Sequence, residues 1–352
     1  MSSYQFIDIS WGSIWRILLL LTAAAVFYFT LDIWVMVFLA IVISSGLNPF
    51  VNVLERVKFP RALGTIIAFL VIAAVFGSVL YVIVPEVIGQ SQILLERYFD
   101  VIARYLNINV IEQSNIYDIL LNQLRSFDII SSGTAGAFEF SKNLFSNIAL
   151  AISAFAIAFY LTVDNKGIEK FIRSVLPSPH EDKVNDIITK ARRKIGYWVQ
   201  AQIGLSFFIG TLTFFGLYLI GFFTGAEVLM SNALILGLLA AVFEIIPFVG
   251  PFFAGAMAVI IAFSALVPNP ALVALYVVIL FVVIQQIEGD LLVPTLMNKA
   301  VGLHPVAVLV SLFIGAKLFG FLGLVLAVPA SVVIQEFVED WSSKKGRHNR
   351  LV

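Results

Sequence analysis

Glu244 is the only carboxylate inside an apolar run from Ala233 to Phe263, where it stands in the stretch FEIIPFVGPF, Phe243 to Phe252. A carboxylate in such a run can hold a proton, a cation or a solute hydroxyl. It can also be structural, accepting hydrogen bonds from broken backbone between Ile246 and Gly250. A charge at the bilayer centre costs about 2.5–3.5 kcal/mol on insertion scales, so intramembrane ionisable residues mark function by default. Pro247, Gly250 and Pro251 lie at the centre of the same run. Proline removes a backbone donor and clashes with the preceding turn, and it biases the residue before it away from helix.

The last apolar run, Pro305 to Ile334, repeats this arrangement. It carries one charge, Lys317, within the glycine-rich GAKLFGFLG (Gly315, Gly320 and Gly323), and Pro329 near its far end. Lys317 reads either as a site residue or as a side chain reaching toward an interface. Between the two runs lies QQIEGDLLVPTLMNKAVGLHP, Gln285 to Pro305. Gln286, Glu288 and Asp290 are candidate contacts for a polar solute or a cation, and the bland alternative is a solvated helix end. Gln286 and Asp290 share a face if the helix continues past Gly289. Pro294, Gly302 and Pro305 read as a stop and a turn.

The elements that must position these residues are membrane helices. The 352 residues are 60% hydrophobic and 12% charged, with mean hydropathy +0.99. Soluble chains are about 45–50% apolar and about 25% charged. The expectation is an all-α polytopic membrane protein with seven to eight transmembrane segments, two of them broken or re-entrant. Candidate spans are Ile14–Thr30, Ile33–Leu47, Leu63–Val84, Ile148–Val163, Ile203–Phe223, Ala233–Phe263, Leu272–Ile287 and Pro305–Ile334. Ala233–Phe263 would be roughly 46 Å long as one helix, against a hydrocarbon core of about 30 Å. Split at its centre, it gives two arms too short to span. Paired interrupted segments point to a transporter site, because irregular backbone at membrane depth must line protein or a water-filled cavity.

Polar blocks divide the chain. Residues 1–84 hold the N-terminal spans, and 85–147 form a polar insertion with two amphipathic helices. Residues 148–200 add a span and a basic helical block containing ARRK, Ala191 to Lys194. Residues 201–335 are the expected transport core, and 336–352 a tail. Excess Lys and Arg mark cytoplasmic loops, which places Asn48–Ala62, Asp164–Gln200 and the C-terminus inside and the acidic 85–147 block outside. The basic block reads as an inner-leaflet anchor. Equal numbers of acids and bases imply no nucleic-acid partner. The absence of cysteine removes thiolate metal sites and cysteine nucleophiles. His180, His304 and His348 have no metal-ligand spacing, and the chain has no phosphate loop, HExxH or GxSxG. No enzyme activity, metal or cofactor is expected.

EIIPFVGP and QQIEGDLLVPTLMNKAVGLHPVAVLVSLFIGAKLFGFLGLVLAVPA resemble the signature of the autoinducer-2 exporter (AI-2E) family of bacterial membrane proteins. The resemblance is strongest from Glu244 to Ala330. Asp290 stands where the family more often has Asn. The resemblance implies ATP-independent transport from the bacterial inner membrane, by a homo-oligomer whose broken helices move as a unit. Family members are associated with export of autoinducer-2, and others with sodium or lithium for proton antiport. The implied partners are membrane lipid and either a small polar solute or a monovalent cation.

Overall fold

The computed structural model describes residues 11–75, 77–78, 81, 152–176, 178–247, 249–296 and 302–348. The amphipathic helices expected within 85–147 lie outside the described residues. Those described form α-helices joined by short turns and one π-helical turn, with no strand among them.

The chain begins with α1 (Trp11–Phe29) and α2 (Leu31–Arg56), separated at Thr30. Asp32 falls in the first turn of α2, where a negative charge complements the helix dipole. The helix does not end at Leu47 as expected, but carries the polar Asn48–Arg56 stretch onward with Pro49 inside it. Lys58, at φ 64°, reverses the chain into α3 (Arg61–Val75). Arg61 then ties three elements together. Its Nε donates to the Thr162 carbonyl of α4 (Ile152–Val163) at 2.9 Å. Its Nη atoms donate to Asn48, Asn52 and Glu55 at 2.7–2.9 Å. Higher up, Phe69 of α3 meets Phe155 and Phe159 of α4 edge-on, at 5.9 and 5.7 Å between ring centres.

A short α5 (Gly167–Val175) precedes α6 (Ser178–Thr224), 47 residues long. The sequence suggests a span from Ile203 alone, but the basic block continues into that span without a break. At 1.5 Å per residue α6 is about 70 Å long, so it extends well beyond a bilayer core. It is the axis of the fold: α2, α7 (Glu227–Phe243), α9 (Pro270–Ile287) and α11 (Pro305–His348) all pack on it. Lipid removes the hydrophobic drive for helices to associate, so close backbone approach through small residues has to do much of that work. Gly210 of α6 and Gly237 of α7 face each other, and a Cβ on either would come within 2.8 Å of the other's carbonyl oxygen. A Cβ on Gly196 would come within 2.7 Å of the Ser45 carbonyl of α2. The outward faces are apolar and exposed, including Phe207, Phe215 and Phe222 of α6 and Leu275 and Val282 of α9, as a lipid-facing surface requires.

Both interrupted runs fold back on themselves. In the first, α7 ends at Phe243, residues 244–247 turn the chain, and α8 (Val249–Phe263) returns along α7. Phe243 and Phe253 stack across the mouth of this hairpin at 5.4 Å. Gly250 and Pro251 lie in the first turn of α8, where a missing N–H is tolerated. In the second, α11 is one helical segment only by its hydrogen bonds. Phe319 (φ −135°) and Gly320 (φ 57°, ψ −133°) break it into arms 305–318 and 321–348. Gly315 and Gly323 are pressed backbone to backbone across the arms, and Ser331 donates to the Ser311 hydroxyl. These contacts require an antiparallel hairpin rather than a kinked rod. The tip of the first hairpin docks on the second, with Ile246 buried against Leu312 and Ala327.

Candidate functional site

Glu244 and Glu288 are both completely buried, and their carboxyl groups lie close enough to interact. Glu244 caps α7 at the first hairpin tip. Glu288 opens the π-helical turn Glu288–Leu292 that follows α9. The extra residue of a π-turn rotates side chains relative to an α-helix, and such turns are frequent at functional sites. The turn also explains Pro294. That proline lies within the helical stretch Val293–Leu296, designated α10, and does not stop the helix as expected. Val293 N–H bonds the Glu288 carbonyl, five residues back, so the ladder is already shifted where proline lacks its donor.

Two amides complete the cluster. Gln202 of α6, itself buried, donates from Nε2 to the Glu244 backbone carbonyl. Gln285 Nε2 donates to Glu288 Oε2 at 3.0 Å. Both carboxylate oxygens of Glu244, Oε1 of Glu288 and Oε1 of Gln202 have no hydrogen-bond partner among the described residues. The hairpin tip satisfies its own backbone instead, through Ile246 N–H to the Phe243 carbonyl and Val249 N–H to the Ile246 carbonyl, each 3.1 Å. Glu244 is therefore not the acceptor for these two backbone groups. Gly250 lies directly against it, and a Cβ there would come within 2.7 Å of Glu244 Oε2.

Two neighbouring buried carboxylates offer each other only acceptors, so the pair calls for a proton or a cation beside them. Like charges this close cannot both ionise in a buried site. No basic side chain pairs with either among the described residues. Lys317, at the second hairpin's first arm, is exposed and makes no ion pair with Glu244. Gln286 and Asp290 do share a helical face, where Gln286 Nε2 donates to Asp290 Oδ2, but both are exposed and turned away from the buried pair. Gly302, at φ 68°, and Pro305 lead into α11, while Pro329 is buried in its second arm. Gln202 is absent from the candidates read from sequence. Its signal was available: an amide at the edge of the Ile203–Phe223 span, followed by Ser206 and Thr213, whose hydroxyls are likewise unpartnered.

Buried acceptors under two facing helical hairpins define a multi-pass membrane protein with a polar site at membrane depth. Four described segments have the length and apolar composition to cross a membrane, Leu31–Arg56, Glu181–Thr224, Pro270–Leu296 and Val306–Ser342, the last folded back as a hairpin. The chain belongs to the AI-2E family of transporters: the family model described as AI-2E family transporter matches residues 17–343. Among its relatives, YueF of Bacillus subtilis strain 168 is 29% identical over 307 residues, covering 82% of this chain and 79% of YueF. YrrI of the same organism is 24% identical over 340 residues, covering 94% and 90%. MT0215 of Mycobacterium tuberculosis is 27% identical over 339 residues, covering 92% and 88%. All three are named as candidate transport proteins. The chain is a membrane transporter of this family.

Proposed function

We propose that the protein is an ATP-independent secondary transporter in which the Glu244–Glu288 pair exchanges a proton for a monovalent cation. The observation that carries this reading is the set of four buried oxygen acceptors without partners, two of them on Glu244, one on Glu288 and one on Gln202. Hard cations take oxygen ligands, and a shared proton neutralises the same pair when the cation leaves. Among the described residues no group of three or more His, Cys, Asp or Glu gathers as at a multivalent metal site, which suits a monovalent ion. The hairpin tips supply the moving part: Glu244 rides on one tip, and the other hairpin docks on it through Ile246.

A second reading is export of a small hydroxyl-rich solute such as autoinducer-2, driven by protons through the same pair. The unpartnered hydroxyls of Ser206 and Thr213, on the helix that carries Gln202, favour it. In both readings the protein works in a bacterial inner membrane, as a homo-oligomer with a cytoplasmic C-terminus.

The test is purified protein in liposomes with an internal pH dye and an imposed proton gradient. Addition of Na⁺ or Li⁺ should trigger proton movement in wild type and none in Glu244→Gln or Glu288→Gln. Cation-driven proton movement at the wild-type rate in both variants sinks the coupling role. Proton movement triggered by autoinducer-2 and not by cations selects the second reading.

A further inference from the structure

We infer that the cavity between α2, α5 and α6 on the basic side of the molecule binds a phosphate-bearing anion, of the kind presented by an anionic phospholipid headgroup. The cavity has a volume of about 600 Å³, within the range of about 300–1,000 Å³ of small-molecule sites. Four cations line it, Arg56, Lys166, Arg192 and Arg193, against one carboxylate, Glu169. Glu169 is engaged by Arg173 at 3.1 Å. None of the four lining cations makes an ion pair among the described residues. A solvated basic face ordinarily intersperses its charges with acids; here four cations converge on a concavity with one carboxylate, already engaged by Arg173.

Arg192 is the sharpest element. Its Nη1 donates to the Asn165 carbonyl at 3.2 Å. Its Nε and Nη2 are buried and have no acceptor. Those two N–H groups form the side-on edge of the guanidinium, the fork that takes two oxygens of a phosphate or carboxylate. Arg61 lies near enough to repel Arg192, yet each of its three nitrogens already donates, to Thr162, Asn48, Asn52 and Glu55. Arg61 thus adds positive potential and leaves the free fork to Arg192. The tight crossing of α2 and α6 at Gly196 and Ser45 fixes the floor of the cavity.

The position selects a lipid over a free anion. The cavity lies where the polar end of α2 and the basic half of α6 meet the apolar portions of both helices. Exposed Val53 and Tyr197 line it, as acyl chains and an interfacial aromatic require. Basic pockets between helices at the cytoplasmic face suit phosphorylated headgroups.

The test is thermal unfolding of the detergent-purified full chain, titrated separately with phosphatidylglycerol, phosphatidylcholine and inorganic phosphate. Phosphatidylglycerol should raise the unfolding midpoint saturably and phosphatidylcholine should not. Lys166→Gln and Arg193→Gln, at exposed positions that do not threaten folding, should each weaken the apparent affinity about fivefold. Arg192→Lys keeps the charge, loses the fork and should weaken it as well. Stabilisation by inorganic phosphate alone, abolished in the same variants, supports the anion site and makes the ligand a free phosphate. Equal stabilisation of wild type and the Lys166→Gln/Arg193→Gln variant, or no stabilisation by either anion, overturns the proposal.

Discussion

The carboxyl group of Glu244, at the tip of the α7–α8 hairpin, lies beside that of Glu288, in the π-helical turn beyond α9, and both are sealed from solvent. The pair joins two elements whose relative position must change if the hairpin moves. Replacing either residue with Gln supplies an amide donor to the remaining carboxylate. Each single Gln variant is expected to unfold within about 1 kcal/mol of wild type, whereas Glu244→Ala leaves a cavity and an unpaired partner and should cost about 2–4 kcal/mol. The double-mutant cycle with Gln should show a coupling energy of about 1–3 kcal/mol. Chemical or thermal unfolding in detergent measures all three, and strictly additive effects would mean the carboxyl groups do not interact.

Gly320 turns the second hairpin at φ 57° and ψ −133°, a backbone region that a Cβ opposes. Gly320→Ala should cost about 1–3 kcal/mol and lower transport, while Gly289→Ala, with open space around its Cα, should cost far less. Comparing expression and unfolding midpoints of the two variants separates turn strain from a general intolerance of alanine.

Gly210 and Gly237 let α6 and α7 cross with their backbones in contact. Alanine at either position must push the helices apart, and because Gln202 and Glu244 are joined across the same pair of helices, the displacement reaches the site. Gly237→Ala is expected to destabilise by about 1–3 kcal/mol and to reduce transport in proportion. A variant with wild-type stability and rate would show that the crossing has slack.

Lys194 of α6 pairs with the buried Glu336 and, at 3.5 Å, with Glu339 on the second arm of α11, while Lys183 pairs with Asp340 at 2.7 Å. These bonds clamp the arm to the basic half of α6. Lys194→Glu should cost about 2 kcal/mol, and Lys194→Glu combined with Glu336→Lys should recover most of it. Unfolding midpoints at low and high salt test this, since the partly exposed Lys183–Asp340 bond weakens with salt more than the Glu336 contact.

Hydropathy and chain breakers are local properties, and they were legible. The apolar runs, an interruption near Pro247 and another near Gly320, and Glu244 as the costly residue all follow from composition and spacing. Helix ends were less legible, because polar residues such as Asn48 and Asn52 in α2, or Lys194 in α6, continue a helix when a tertiary partner such as Arg61 or Glu336 accepts them.

Of the residues read together as one site, Glu244 and Glu288 converge, while Gln286, Asp290 and Lys317 are exposed. The sequence by itself determined that this chain enters a membrane, that two of its apolar runs are interrupted, and that a carboxylate lies in one of them, because side-chain hydrophobicity and backbone restriction act residue by residue. Only the tertiary structure decided that the interruptions are hairpins and that Glu288 and Gln202 are the neighbours of Glu244. Those relations depend on how far helices approach and how each is rotated about its axis. Both are set by glycine contacts between distant segments and by one π-turn, which no local pattern encodes.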